Sequence, residues 1–416
     1  MTRLRLTANQ AADRLGVKPA TLYAYVSRGV LRRVPAADGR HSLFDAAEVD
    51  ALARRGRPRR ASRPFVFELE IQTALTEIGD HALRYRGHDA VRLARTASVE
   101  QVATLLWTGG LPSMAEAHAV PWPAAAISGP TLGSAVDRVR VAVAMAAAID
   151  PLRADLRPEA VVVCGRTVVS TAVDALPPGR GERTPRLAIG DGPPLRGTLA
   201  GRVFAKLVPG RARPELVTLV NATLVLLIDH ELAASTLAAR VAASTRADPY
   251  AVVSAGLGPL SGPLHGGASR VVRTMFDAAS GAGGSAAAVA DALRIHGMVP
   301  GFGHRLYPNG DPRAAALLDM LRAACGGTRS MSTVEGVLSA AQRRVPVAPN
   351  VDAVLGALGF VTGMPVDAGE AMFAIARSIG WIAHALEEYQ EQPLRFRPRA
   401  RFVGGQQEPR HTGRAR

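Results

Sequence analysis

The sequence predicts an all-α fold, with a small helix-turn-helix unit in front of a large helical body. From residue 65 onwards Ala, Leu and Val recur at three-and-four spacing, and the regular apolar alternations typical of strands are few. With 416 residues, 48% of them hydrophobic, the chain is long enough for two or three domains and a substantial core. We expect buried core helices in residues 99–106, 132–149, 216–243 and 366–389.

Residues 1–53 predict the small unit. Thr7 is placed to cap a first helix that Gly16 ends, and a second helix follows the turn at Pro19 and stops at Gly29. Two helices across such a turn can place the second in a DNA major groove. The candidate DNA contacts are Lys18, Thr21, Tyr23, Tyr25 and Arg28, followed by a basic wing of Arg32, Arg33, Arg40 and His41.

The segment LTANQAADRLGVKPATLYAYVSRGVL resembles the DNA-binding helices of the excisionase and MerR-like winged-helix families. That resemblance implies a further short helix over residues 44–52. The alternative is a small helical appendage that binds another protein.

The distribution of charge favours a polyanionic partner for this unit. Fifty basic and 35 acidic residues give a net charge of +15, of which residues 1–63 carry +9 and residues 391–416 carry +5. Residues 54–64 are too basic and proline-rich to pack, so we expect a linker that also touches phosphates. Residues 406–416 are expected to be a basic tail.

Composition also excludes several classes of protein. No run of about 18 uninterrupted apolar residues is present and the basic start lacks an apolar signal core, which predicts a soluble, cytoplasmic protein that does not bind membranes. Cys164 and Cys325 are the only cysteines and neither belongs to a CxxC pair. A disulfide framework and a four-thiolate metal site are therefore excluded. We expect both thiols to be buried, and we expect no metal.

Three histidines stand in unusual glycine- and proline-rich surroundings. His230 lies in IDHELAAST, His265 in LSGPLHGGA and His304 in VPGFGHRLYPNGDPRA. Glycines beside His265 and His304 allow the backbone to approach a ligand closely, which is typical of loops that line a crevice. Taken singly, a histidine on a helix is more often a structural group.

Six segments in fixed order resemble the signatures of the citrate synthase family: DHELAASTLAARVAASTRADPY, SGPLHGGA, PGFGHRLY with DPRA, PNVD, ARSIGWIAHALEE and RPRARFVG. The earlier LRYRGHDAVRLARTASVEQVATLLWTGGLP resembles that family's N-terminal region, so the likeness covers residues 65–405. It implies a large and a small helical domain, with the small domain, roughly residues 266–365, inserted in the large one.

The resemblance implies an acyltransferase that condenses acetyl-CoA with oxaloacetate and water, giving citrate and CoA, with acetyl-CoA as substrate and no cofactor. Such a reaction needs a base for the methyl proton, a donor for the enol oxygen and a group that polarises the ketone. The family pattern assigns these roles to Asp352, His265 and His304, respectively. Asp352 alone also fits a helix cap, since it precedes a helical pattern.

The resemblance also implies a binding set. Arginine grips carboxylates bidentately, and Arg313, Arg377 and His230 match the family's oxaloacetate-binding residues. Arg397 matches an arginine that the neighbouring subunit supplies, so the active site is completed only in a homodimer. The backbone segment that lies around the coenzyme A adenine in the family corresponds here to Val299, Pro300, Gly301, Phe302 and Gly303.

Two alternatives stay open from the sequence. The family often places an aromatic residue after PNVD, and Ala353 stands there instead, which would leave a roomier pocket and admit propionyl-CoA, giving 2-methylcitrate. The other alternative is a DNA-binding regulator that uses the synthase body as a sensor of oxaloacetate or acetyl-CoA. The presence of Asp352 favours catalysis, because only turnover requires the base.

Overall fold

The computed structural model describes residues 5–15, 17, 19–27, 31–36, 42–54, 70–79, 82–128, 133–177, 197–210 and 213–400. The chain divides into two compact units, Met1–Gln72 and Thr73–Arg416. Of the residues predicted to contact DNA or form the wing, Lys18, Arg28, Arg40 and His41 lie outside the described residues, as do residues 55–64 of the expected linker and the tail.

The first unit is a winged arrangement of short elements: β1 (Arg5–Thr7), α1 (Ala8–Leu15), α2 (Pro19–Ser27), β2 (Arg33–Pro35), β3 (Ser42–Asp45) and α3 (Ala46–Arg54). The strands pair antiparallel in the order β1-β3-β2. As predicted, Thr7 caps α1: its hydroxyl accepts from the Gln10 N–H at 3.3 Å, while the Thr7 N–H donates to the Gln10 side chain at 2.9 Å.

The third helix begins later than predicted. Phe44 pairs with Leu6 in the sheet, and both side chains are buried with Leu22 and Val49. The helix starts only at Ala46, because Phe44 belongs to β3 and the extended backbone there directs its side chain into this small core.

In the described residues the second unit is helical apart from one small sheet, which was not predicted. The sheet consists of β4 (Thr76–Gly79), β5 (Ala82–Tyr85) and β6 (His88–Asp89), paired antiparallel in chain order. In β5 Leu83 and Tyr85 point inwards and are buried, while Arg84 faces out. Four-residue strands are too short for their alternation to stand out from the helical pattern of the body.

Fifteen helices are described in this unit: α4 (Ala90–Thr96), α5 (Val99–Thr108), α6 (Met114–Ala119), α7 (Ala135–Ile149), α8 (Pro158–Asp174), α9 (Leu199–Leu207), α10 (Pro214–Leu227), α11 (Ala234–Ser244), α12 (Pro249–Leu260), α13 (Ala268–Ala279), α14 (Gly284–His296), α15 (Pro312–Cys325), α16 (Arg329–Gln342), α17 (Val351–Thr362) and α18 (Ala368–Glu388). Apart from α6, they contribute to one continuous hydrophobic core, with α10 and α18 buried along nearly their whole length. Cys164 and Cys325 are free and buried, as expected.

The segment 216–243, expected as one core helix, is interrupted after Leu227. The chain turns over residues 228–233, with Glu231 at φ 54°, before α11 begins. Gly380 of α18 makes room for this turn, since a Cβ there would lie 2.2 Å from the Ile228 carbonyl oxygen. The apolar residues on both sides of the break predict one helix, although the polar residues Asp229, His230 and Glu231 mark its position.

None of the helices in the described ranges is both long and apolar enough to span a bilayer.

Candidate active site

The segments that carry the predicted histidines meet at one place in the second unit. The His230 and His304 rings pack edge to face with centroids 5.2 Å apart, and the Tyr307 hydroxyl lies 3.1 Å from His230 Nε2. Tyr307 is also in ring contact with His304, at 5.0 Å. Tyr307 was not predicted as a site residue, although it lies in the same motif as His304.

Arg313 enters this cluster from the first turn of α15. Its guanidinium donates two hydrogen bonds to Asp311, at 3.0 and 2.9 Å, and lies 5.8 Å from the centre of the Tyr307 ring. Asp311 also accepts from the Val351 N–H at 3.0 Å, which ties the DPRA segment to the start of α17. Arg313 and Asp311 are both buried, so the guanidinium is held in place by a desolvated carboxylate.

Arg377 supplies a second buried cation from α18. Its Nε donates to the Leu227 carbonyl at 3.0 Å, and its guanidinium lies over the Phe373 ring at 4.8 Å. Nη1 is buried and has no hydrogen-bond partner among the described side chains and backbone. A buried donor on a guanidinium is costly to leave unpaired, so this position favours an anionic ligand.

Burial and the two guanidiniums keep the imidazoles neutral. Burial together with Arg313, Arg377 and His304 holds the pKa of His230 well below its ordinary value. Burial and Arg313 also lower the pKa of His304, against the opposing effect of Asp311. Because the Leu306 N–H donates to His304 Nδ1 at 3.1 Å, the neutral ring carries its proton on Nε2.

His265 lies in the turn between α12 and α13 and faces α11 and α18. Its Nε2 is 2.8 Å from the hydroxyl of Ser235, which is fully buried, and its ring packs edge to face on Phe373 at 5.5 Å. Burial, assisted by Arg377, lowers the pKa of His265 to about 4. Ser235 was not predicted, although it stands within the motif that contains His230.

Asp352 occupies the first turn of α17 and does not cap that helix. Asn350 is the N-cap: its side chain accepts from the N–H groups of Asp352 and Ala353 at 3.0 and 3.4 Å. The Asp352 side chain is half-buried, and its Oδ1 is sealed from solvent without a hydrogen-bond partner in the described part of the chain. Burial raises the pKa of Asp352 to about 6, although Arg313 opposes the shift.

Residues 299–303 form a tight loop against the segment that leads into α17. The Gly303 N–H donates to the Ala348 carbonyl and the Asn350 N–H donates to the Gly301 carbonyl, both at 2.8 Å. Gly301 has φ 81°, and a Cβ on it would lie 3.0 Å from Ala353. Ala353 is therefore buried beneath this loop, so its small side chain does not by itself enlarge a pocket beside Asp352.

A cavity of about 310 Å³ adjoins the same loop at Pro300. It lies between α13 and α14, and its mainly apolar wall includes Arg270, Thr274 and His296.

Arg397 is not among the residues that come together. It is exposed, beyond the end of α18. In the first unit Thr21 and Tyr23 are exposed on α2, Tyr25 is half-buried, and Arg32 and Arg33 are exposed at β2. Across the described residues, no group of three or more His, Cys, Asp or Glu side chains is arranged to hold a metal ion.

Two family models match the chain. The citrate synthase C-terminal domain matches residues 68–175 and 183–399, and a helix-turn-helix domain matches residues 5–57.

Curated relatives carry two names. The citrate synthase of Haloferax volcanii is 33% identical over 77% of this chain and 89% of its own length. The 2-methylcitrate synthase 2 of Corynebacterium glutamicum is 36% identical over 44% of this chain, and the match spans about half (49%) of that relative.

Among solved structures, citrate synthase from Thermoplasma acidophilum, in ternary complex with carboxymethyl coenzyme A and oxaloacetate, matches with a TM-score of 0.65 at 25% identity. The match covers 82% of this chain and 95% of that one.

Proposed function

Because the chain belongs to the citrate synthase family, we propose that it condenses acetyl-CoA with oxaloacetate and water, giving citrate and free CoA, a reaction of the tricarboxylic acid cycle. One observation carries the proposal. The carboxylate of Asp352, whose pKa is raised, and the imidazole of His304, whose pKa is lowered, both interact with the buried guanidinium of Arg313. The imidazoles of His230 and His265 interact with the buried guanidinium of Arg377. These are the groups that enolisation and attack on an anionic ketone require.

The first step removes a methyl proton from acetyl-CoA. Asp352 takes this proton, and the C–H electron pair moves towards the thioester oxygen, where His265 stabilises the resulting enolate by a hydrogen bond. Since His265 is neutral and Ser235 lies 2.8 Å from its Nε2, we assign the serine as donor to Nε2, which leaves the ring proton on Nδ1 for the substrate. A neutral donor suits this task because an imidazolium would simply lose its proton to the enolate.

The second step forms the carbon–carbon bond. The enolate carbon attacks the oxaloacetate ketone, whose oxygen takes a proton from His304 Nε2 and becomes the hydroxyl of citryl-CoA. Arg313 and Arg377 hold the carboxylates of oxaloacetate, with His230 as a further contact. Water then attacks the thioester and the C–S bond breaks. The proton on Asp352 passes to the departing CoA sulfur, one proton of the water restores His304, and the other leaves as the new carboxyl group of citrate ionises.

Coenzyme A is assigned to the loop of residues 299–303. Two backbone hydrogen bonds tie that loop to the segment that precedes Asp352, so a bound adenine would be held at a fixed distance from the base. Gly301 and Gly303 both have positive φ, a backbone conformation that glycine adopts without strain and that gives this loop its tight turn.

The test is release of CoA thiol by the full-length protein with oxaloacetate, with acetyl-CoA and propionyl-CoA compared in parallel. A preference for acetyl-CoA supports a citrate synthase. A preference for propionyl-CoA supports the alternative, 2-methylcitrate synthase, which the Corynebacterium relatives favour. One methylene is worth about 1–3 kcal/mol, so rate ratios of roughly tenfold or more are expected.

The active enzyme is proposed to be a homodimer in which Arg397 completes the partner's site. An unpartnered apolar face supports this arrangement. From Val141 to the end of α7 the exposed residues are apolar at three-and-four spacing, which is typical of a helix packed against another chain. The apolar face of α7 consists of Val141, Ala144, Met145, Ala148 and Ile149.

The helix-turn-helix unit is proposed to bind DNA through α2 and the wing, and a dimer would present two such units to a two-fold site. A regulator that only senses oxaloacetate or acetyl-CoA is the alternative from another class. Binding of both ligands without thiol release would favour the sensor. The cytoplasmic location stays a prediction from the sequence.

A further inference from the structure

A chain of buried polar groups runs behind the candidate active site, from the His230 segment to the segment that follows α18. His384 lies at its centre and is fully buried. Its Nε2 is 3.2 Å from Asp229 Oδ1, and its Nδ1 is 2.8 Å from Arg240 Nη1. A guanidinium can only donate, so Nδ1 must accept. His384 is therefore neutral and donates its ring proton to Asp229.

Asp229 anchors the turn that carries His230. Its second carboxylate oxygen accepts from the Thr76 hydroxyl at 2.5 Å, and its backbone carbonyl accepts from the Tyr85 hydroxyl at 3.1 Å. His230 is the next residue, and Glu231 follows at φ 54°, a conformation that L residues rarely adopt. The direction of His230 thus depends on how firmly Asp229 is held.

Arg240 continues the chain of contacts away from the site. Its Nε donates to Glu388 at 3.0 Å and its Nη1 to Glu387 at 2.8 Å. Glu388 in turn accepts two hydrogen bonds from Arg395, at 2.7 and 2.6 Å. Arg240 and Glu388 are both fully buried, so this part of the network is sealed from solvent.

Arg395 belongs to the exit strap, which we define as residues 389–397. Further hydrogen bonds hold the strap. The Leu394 N–H donates to the Ser244 carbonyl at 2.8 Å, and Arg246 donates to the carbonyl of Glu388, just before the strap, and to that of Glu391 within it. Arg397 stands two residues after Arg395, at the end of this anchored stretch. Its exposed side chain thus leaves the body from a defined place.

We propose that the buried relay Asp229–His384–Arg240–Glu388–Arg395 positions two parts of the active site at once. Within its own subunit it holds His230 through Asp229, and through Arg395 it holds the strap that lends Arg397 to the partner. His384 and Arg395 are positioning residues and touch no substrate. The inference rests on the proposed function, because it takes oxaloacetate as the ligand of His230 and Arg397.

The first test compares two variants of His384 that each keep half of its contacts. In His384→Gln the amide nitrogen reaches the position of Nε2 and still donates to Asp229. In His384→Asn only the acceptor near Nδ1, facing Arg240, is kept. We expect the Gln variant to stay within about threefold of wild type in KM for oxaloacetate, and the Asn variant to rise about tenfold or more with a smaller change in kcat. Equal effects of the two variants on KM and kcat would show that His384 has a merely structural role. They would overturn the part of the proposal that concerns His230.

The second test uses heterodimers purified by two different tags. One subunit carries Asp352→Asn, which removes its own base and keeps its strap, and the other carries Arg395→Ala or His384→Asn. Only the second subunit's site then turns over. With Arg395→Ala the KM for oxaloacetate should be raised in the variant homodimer and return to the wild-type value in the heterodimer, since Arg397 then comes from an intact strap. With His384→Asn it should stay raised in both.

The part of the proposal that concerns the strap would be overturned by a KM that stays raised in the Arg395→Ala heterodimer. An unchanged KM in the Arg395→Ala homodimer would overturn it too. Arg395 is partly exposed, and Arg395→Lys should fold while losing the two-pronged contact, which gives a second variant. If wild-type protein releases no CoA thiol, the proposed function fails. The affinity of His384→Gln and His384→Asn for oxaloacetate, measured by calorimetry, then still tests whether His384 positions His230.

Discussion

Asp352 shows how a helix can support a base and still leave it basic. The start of a helix stabilises a carboxylate, and Arg313 acts in the same direction. Burial is the larger influence and raises the pKa to about 6. The side chain of Asn350 accepts the capping hydrogen bonds. The N–H groups at the start of α17 therefore do not donate to the Asp352 carboxylate and lower its basicity. A base with a pKa just below neutral is mostly ionised and still strong enough to take a proton.

Replacing this base should separate turnover from binding. We expect Asp352→Asn to lower kcat by about 10²–10⁴-fold, because general-base catalysis contributes that much, and to leave oxaloacetate affinity within about twofold. Thiol release and titration calorimetry measure the two effects. The control is Asp319→Asn on the exposed face of α15, which should behave as wild type. Loss of oxaloacetate affinity in Asp352→Asn would contradict the assignment of the base.

The activity should fall on the acidic side of pH 6. Asp352 acts only when ionised, so kcat/KM should drop about tenfold per pH unit once the pH lies below its pKa of about 6. His265, with a pKa of about 4, stays neutral near pH 6 and adds no second limb there, and burial and Arg313 also lower the pKa of His304. A pH series of thiol release tests this, and a midpoint near pH 4 would show that burial does not raise the pKa of Asp352.

At the scale of elements, α18 passes so close to the His230 turn that only glycine fits at the crossing. In Gly380→Ala the new Cβ would lie 2.2 Å from the Ile228 carbonyl oxygen and 3.2 Å from Asp229, so the backbone must move. We expect a loss of about 2–3 kcal/mol or more in the free energy of unfolding, measured by urea denaturation, and a raised KM for oxaloacetate.

The matched control is Gly359→Ala in α17. The nearest atom to its Cβ is the end of the flexible Arg273 side chain, at 3.3 Å, so the free energy of unfolding should change by less than about 1 kcal/mol. Similar losses in both variants would mean that the crossing at Gly380 is not tight.

The elements that the sequence predicted are those with long, uninterrupted periodicity. The segment 366–389 was expected as a core helix and is α18. The segment 216–243, which is apolar on both sides of Asp229, divides into α10 and α11. The site was predicted as far as the family motifs mark it. Ser235, Tyr307 and His384 could not be selected from the residues, because their roles depend on distances across α11, the His304 loop and α18.

For the whole molecule, the apolar face of α7 makes the oligomeric state testable. Val141, Met145 and Ile149 are 45%, 37% and 54% exposed, one turn apart. The double variant Met145→Glu with Ile149→Glu should place like charges at a two-fold contact and yield a monomer in sedimentation experiments. Its thiol release should fall by at least about tenfold, since each site loses the partner's Arg397. Val120→Glu, exposed after α6, is the control and should stay dimeric and active.

The charge of the first unit makes a separate prediction about salt. Phosphate contacts release counterions, so log K for duplex DNA should fall linearly with log salt, by about 0.9 per phosphate neutralised. Replacing the exposed wing residues in Arg32→Ala with Arg33→Ala should reduce that slope by about 2 in the full-length protein, measured by fluorescence anisotropy. Arg294→Ala, exposed on α14 of the other unit, removes the same charge type and should leave the slope unchanged. If both arginine sites change the slope alike, the binding reflects net charge alone.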